Sequence, residues 1–142
     1  MEILFLSESA HPESFGSVIS KIIADNEANV LVTIMTRLSN IAQNGGHPKP
    51  PYAKTLTHTN GAMNEICCKR NNNELLRIYY FVDREKQKMV LLNTTIKPDG
   101  RKFASHYDGK KIEKEIREDI QEALSLKEKY YLSQNDYEPL RI

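Results

Sequence analysis

Eleven of the twenty Lys and Arg residues of this chain fall between positions 69 and 111, where only five acids accompany them. Lys69, Arg70, Arg77 and Lys97 punctuate three runs of apolar and β-branched residues there: Glu-Ile-Cys-Cys-Lys-Arg ending at Arg70, Leu-Leu-Arg-Ile-Tyr-Tyr-Phe-Val-Asp ending at Asp83, and Met-Val-Leu-Leu-Asn-Thr-Thr-Ile-Lys ending at Lys97. Guanidinium and ammonium groups bind phosphate oxygens through charge-assisted hydrogen bonds. Cations that emerge together on a sheet or at its edges therefore suit a polyanion laid across it. Tyr79 and Tyr80 are neighbours in the second run, so strand alternation sends one into the core and leaves the other to stack on a base. A polar, cationic loop follows, with Arg101, Lys102, His106, Tyr107, Lys110 and Lys111.

The net charge of +1 hides a division along the chain. Residues 1–68 sum to −2, residues 69–111 to +6 and residues 112–142 to −3. Arg84, Glu85, Lys86 and Lys88 are accounted for as the solvated turn between the second and third runs. The remaining positive charge of the block is the footprint a phosphate backbone would use.

The elements that must position these cations can be read from periodicity. Residues 2–7 form a short apolar strand. Phe15, Val18, Ile19, Ile22 and Ile23 recur at helical spacing after the start signal His11-Pro12-Glu13-Ser14. Asp25 and Asn26 interrupt that pattern. Leu31, Ile34, Met35, Leu38, Ile41 and Ala42 then mark a second helix from about Glu27 to Gln43, which Asn44-Gly45-Gly46 and three prolines stop. Residues 47–61 read as a linker in which His47 and His58 are solvent-exposed. Residues 63–97 give three strands with turns at Asn71–Asn73 and Asp83–Lys88. A last helix, from about Lys111 to Leu132, has Ile112, Ile116, Ile120, Ala123 and Leu124 inward and Glu113, Lys114, Arg117 and Glu118 outward. Residues 133–142 read as a tail.

At 142 residues the chain fits one domain, 1–142, with a single core. No apolar run approaches the roughly 18 residues of a membrane span, and the acidic Met-Glu start lacks the pattern of a secretory leader. A cytoplasmic protein is expected, with no membrane partner. Cys67 and Cys68 are adjacent and point to opposite faces of a strand, which disfavours a disulfide between them. No histidine or cysteine lies at metal-ligand spacing from the pair. No metal and no cofactor is expected.

The order strand, helix, helix, three strands, helix is similar to the RelE/ParE toxin superfamily, and in particular to the phage-derived proteins of its RelE/HigB-like branch. The resemblance rests on Glu65 opening a strand, on Arg77-Ile78-Tyr79-Tyr80, on Val90-Leu91-Leu92-Asn93 running to Lys97, and on the Lys/Glu-rich segment from Lys110 to Tyr131. It implies an α+β protein of RelE-like fold: an N-terminal strand and helical hairpin packed on a small, largely antiparallel sheet, with a C-terminal helix. It implies the toxin of a type II toxin–antitoxin pair, an mRNA interferase that cuts messenger RNA on the ribosome and is silenced by a cognate antitoxin, a small helix-turn-helix protein. Such endoribonucleases use the RNA's own 2′-hydroxyl as nucleophile, so no metal is required. By the same resemblance Arg77, Lys97, His106 and Tyr107 are the catalytic set, and Lys69, Arg70, Tyr79, Tyr80, Arg101 and Lys102 contact the RNA. Two other readings stand beside it. One is a non-catalytic interaction protein on the same scaffold, a gyrase-inhibitor-like toxin or a phage accessory protein. The other is a general single-strand binder built on the basic and aromatic run from Arg77 to Phe81.

Overall fold

The structure, a computed structural model, describes residues 1–98 and 109–141. It is α+β, with three helices and six strands: β1 (Glu2–Leu6), α1 (Phe15–Ala24), α2 (Ala28–Gln43), β2 (Ala53–Thr55), β3 (Asn64–Lys69), β4 (Glu74–Asp83), β5 (Lys88–Pro98), α3 (Gly109–Leu132) and β6 (Tyr137–Leu140). The strands form one mixed sheet in the order β2-β3-β4-β5-β1-β6. β1 runs parallel to β5, and the other four pairings are antiparallel.

Both faces of this sheet are covered. α1 and α2 form the expected hairpin on one face, where Phe15, Val18, Ile22, Ile34, Leu38 and Ile41 pack against Leu76, Ile78, Tyr80, Met89 and Leu91. α3 lies on the opposite face, and Ile120, Ala123, Leu126 and Tyr130 pack against Leu4, Tyr79, Phe81, Val90 and Leu92. Two-sided burial explains why the central strands read as nearly continuous apolar runs. The inner stripe of α3 sits further along than its sequence indicates: Leu126 and Tyr130 are buried, while Ile116 and Leu124 are only half-buried.

Local chemistry sets the helix ends. The Ser14 side chain accepts from the Ser17 backbone N–H at 3.0 Å and caps α1. Asn26, at φ 55°, makes the left-handed step between α1 and α2. Gly46, at φ 80°, lies just after α2, and its carbonyl accepts from Tyr80 Oη at 3.0 Å. A Cβ there would come within 2.5 Å of Val82 Cγ2, so glycine is required twice over.

Two segments expected to be irregular are strands. The linker 47–61 contributes β2, held to the sheet edge by pairing with β3 and by the Cys67 N–H donating to Tyr52 O at 2.8 Å. The tail contributes β6, which pairs with β1 at the other edge, with Tyr137 against Tyr130 at 5.2 Å between ring centroids. Both are edge strands of three or four residues whose order comes from a neighbour distant in sequence, a cause that periodicity does not record. Pro139 lies in the outermost strand, where the missing N–H is tolerated and discourages further pairing.

One irregularity matters for the site. Between β4 and β5 the register shifts: Tyr80 faces Leu91, but Ile78 faces Thr94, so Tyr79 stands opposite two residues, Leu92 and Asn93. This β-bulge reverses the alternation of β5 beyond it. Thr95 then faces Arg77, and Lys97 faces Leu75, on the α3 side of the sheet.

Candidate functional site

Three rows of directly opposed residues cross β3, β4 and β5 beneath the N-terminal half of α3. They are Lys69–Leu75–Lys97, then Cys67–Arg77–Thr95, then Glu65–Tyr79 with the bulge. Opposed residues share a face and lie within about 5.5 Å of each other. Register therefore places Lys69, Arg77 and Lys97 on one side of the sheet. Lys69 is exposed, whereas Arg77 and Lys97 are half-buried.

Acids meet two of these cations. Arg77 Nε lies 3.3 Å from Glu65 Oε1, and Lys54 Nζ lies 3.8 Å from the other oxygen of Glu65, whose side chain is 8% exposed. Lys97 pairs with Glu115 of α3. Arg77 Nη1 is buried with no hydrogen-bond partner, so part of the guanidinium's donor capacity is unspent.

A hydroxyl chain runs through the centre. Thr95 Oγ1 donates to Asp119 Oδ2 at 2.7 Å, and Tyr79 Oη lies 2.8 Å from Thr95 Oγ1. A threonine hydroxyl has one proton, so Tyr79 is the donor in the second bond. Asn93, at the bulge, donates through Nδ2 to the Asp119 carbonyl at 2.9 Å and ties β5 to α3.

Electrostatics follow from this crowding. Burial raises the Asp119 carboxyl above the ordinary aspartate range; Glu115 and Glu118 push the same way, against Thr95 and Lys97. Glu13 is raised by burial and then by Asp119. The hydrogen bond to Glu115 raises Lys97, whose charge Asp119 and Glu13 also favour. Burial raises the Tyr79 phenol, which therefore stays protonated.

Three residues expected to contact RNA have other surroundings in the structure. Arg70 lies toward the turn between α1 and α2, where Nη2 is 3.4 Å from Asp25 and 3.3 Å from Glu27; it pins β3 to the helical hairpin. Tyr79 and Tyr80 are both fully buried, one on each side of the sheet, so neither presents a ring for stacking. Alternation does send the two rings to opposite sides, but at these two positions helices cover both sides. Arg101, Lys102, His106 and Tyr107 lie outside the described residues.

Sequence reasoning missed Thr95, Glu115 and Asp119. Thr95 reaches this face only through the bulge. Glu115 and Asp119 sit four apart on α3, one helical turn, which was a signal for two acids on one stripe facing the cationic strands. Among the described residues no cluster of three or more His, Cys, Asp or Glu is arranged to hold a metal ion, and no helix is long and apolar enough to cross a membrane. Cys67 and Cys68, half-buried and buried respectively, form no disulfide.

No family model matches the chain, and neither a curated protein nor a solved structure does.

Proposed function

We propose that this chain is a RelE-like, phage-related toxin of a type II toxin–antitoxin pair, acting in the cytoplasm as a metal-independent endonuclease on ribosome-bound mRNA and silenced by a small helix-turn-helix antitoxin. The observation that carries the reading is the sharing of one sheet face by Lys69, Arg77 and Lys97, with Thr95 and Asp119 between and above them. Cleavage by the 2′-hydroxyl needs an acceptor for its proton, positive charge for the phosphate as it becomes five-coordinate, and a proton for the departing 5′-oxygen. Arg77 and Lys97 serve the second task. A parallel β1–β5 pair beside antiparallel β3, β4 and β5, with a helical hairpin on one face, is compatible with the RelE-like arrangement.

The test is controlled expression of the wild-type chain and of Arg77→Ala in cells, reading growth and mRNA cleavage together. Growth arrest with new mRNA 5′-ends that disappear in Arg77→Ala supports the reading; intact mRNA in arrested or growing cells defeats it. The second reading, a non-catalytic interaction protein, is favoured by the acids on Arg77 and Lys97, which neutralise the cations a phosphate would need. That reading expects growth effects without mRNA cleavage.

A further inference from the structure

Asp119 descends from the inner side of α3 onto the row that holds Arg77 and Thr95. Its Oδ2 rests on the Thr95 hydroxyl, and Thr95 rests on Tyr79; both are buried, whereas Asp119 itself is half-buried and reachable from the surface. Nothing among the described residues engages its Oδ1. Two other acids of the site are occupied, Glu65 between Arg77 and Lys54 and Glu115 on Lys97. Glu13, on the loop before α1, is near enough to act on Asp119 and Lys97 but has no hydroxyl of the row anchoring it. A half-buried carboxylate with one oxygen anchored by a buried hydroxyl has the geometry of a proton acceptor, and Lys97, which acts on it, and Arg77, opposite Thr95, supply positive charge for a phosphate.

We propose that Asp119 is the general base of the cleavage, taking the 2′-hydroxyl proton on Oδ1, with Thr95 and Tyr79 as positioning residues that hold the carboxylate. The proposal rests on the endonuclease reading above. In the step, the O2′–H bond breaks and its proton passes to Asp119. O2′ bonds to phosphorus, the P–O5′ bond breaks, and its electron pair leaves on O5′, which takes a proton from water. The products are a 2′,3′-cyclic phosphate and a 5′-hydroxyl, and no electrons change hands. Burial strengthens Asp119 as a base by lifting its carboxyl above the ordinary range. The groups that set its titration are Thr95 and Lys97 from the sheet, Glu13 from the loop before α1, and Glu115 and Glu118 from its own helix.

The experiment compares wild type, Asp119→Asn and Thr95→Val on mRNA bound to ribosomes, across pH, with RNA affinity measured separately. Asp119→Asn should lower kcat on the order of 100-fold or more, leave RNA affinity equal or tighter because an anion is gone, and abolish the acid limb of the pH–rate profile. Thr95→Val removes a bond that favours the ionised carboxylate, so it should retain the limb but move it to higher pH. Cleavage by a folded Asp119→Asn at the wild-type rate with the acid limb intact overturns the assignment while leaving the endonuclease reading in place. If Asp119→Asn does not fold, Thr95→Val decides, and an unmoved limb overturns the proposal. A wild-type protein that cuts no ribosome-bound mRNA overturns both.

Discussion

Lys97 stands on the face of the sheet that carries Arg77 because β5 holds one residue more than β4 opposite Tyr79. An unbroken ladder would bring Thr94 and Ile96 to this face and turn Lys97 toward α1 and α2. Deleting Asn93 should instead close the bulge with Thr94 still opposite Ile78 and Lys97 still opposite Leu75. The deletion is expected to lower the melting temperature, because it removes the tie to α3, while Lys97 keeps its face. A folded deletion variant that loses as much cleavage as Lys97→Ala would show that the bulge shapes the site beyond setting the face of Lys97.

Arg77 serves the fold as well as the site, so its variants need a control. Arg77→Ala leaves the nearly buried Glu65 with only Lys54, at 3.8 Å. The expected loss of stability is about 1–3 kcal/mol, and cleavage should fall on the order of 100-fold or more. Arg77→Ala combined with Glu65→Gln removes the stranded charge. Thermal unfolding should then return most of the stability while cleavage stays low. Recovery of cleavage together with stability would make Arg77 a structural residue only.

Helix periodicity and strand alternation made the two helices of the hairpin, the three central strands and α3 legible, since each buries an apolar stripe of its own. β2 and β6 were not legible, because backbone pairing orders them and their own side chains do not. The site divides the same way. Arg77 and Lys97 stood out as cations on strands, but their shared face depends on a bulge that no local pattern announced. Asp119 read as one more acid on a charged helix; its neighbours Thr95 and Tyr79 become visible only when β4, β5 and α3 are brought together.

The raised carboxyls give stability a definite pH dependence. Asp119 and Glu13 bind protons more readily in the folded chain than in the unfolded one. Their contribution is therefore fully present below the ordinary carboxylate range, about pH 4, and is lost as pH rises through their folded values. Asp119→Asn keeps an oxygen that can accept from Thr95 while removing the charge. It should leave stability near pH 4 little changed, increase it at neutral pH, and flatten the curve between. Chemical denaturation of wild type and variant at a series of pH values reads this directly. A variant less stable at neutral pH than at pH 4, relative to wild type, would contradict the assigned direction.

Salt dependence separates cations that meet phosphate from cations that hold the fold. Binding of single-stranded RNA weakens with salt at a logarithmic slope of about −0.7 for each phosphate neutralised. Lys69→Ala and Lys97→Ala should each shallow the slope by about that amount, because both sit on the Arg77 face. Arg70→Ala should leave the slope unchanged, since its guanidinium is engaged by Asp25 and Glu27 toward the α1–α2 turn. Lys97 carries Glu115, which an incoming phosphate must displace, so Glu115→Gln should tighten binding most at low salt. Fluorescence anisotropy of a labelled RNA across a salt series measures all four variants. A slope that responds to Arg70 as strongly as to Lys69 and Lys97, or to none of them, would mean that the RNA does not lie across this face.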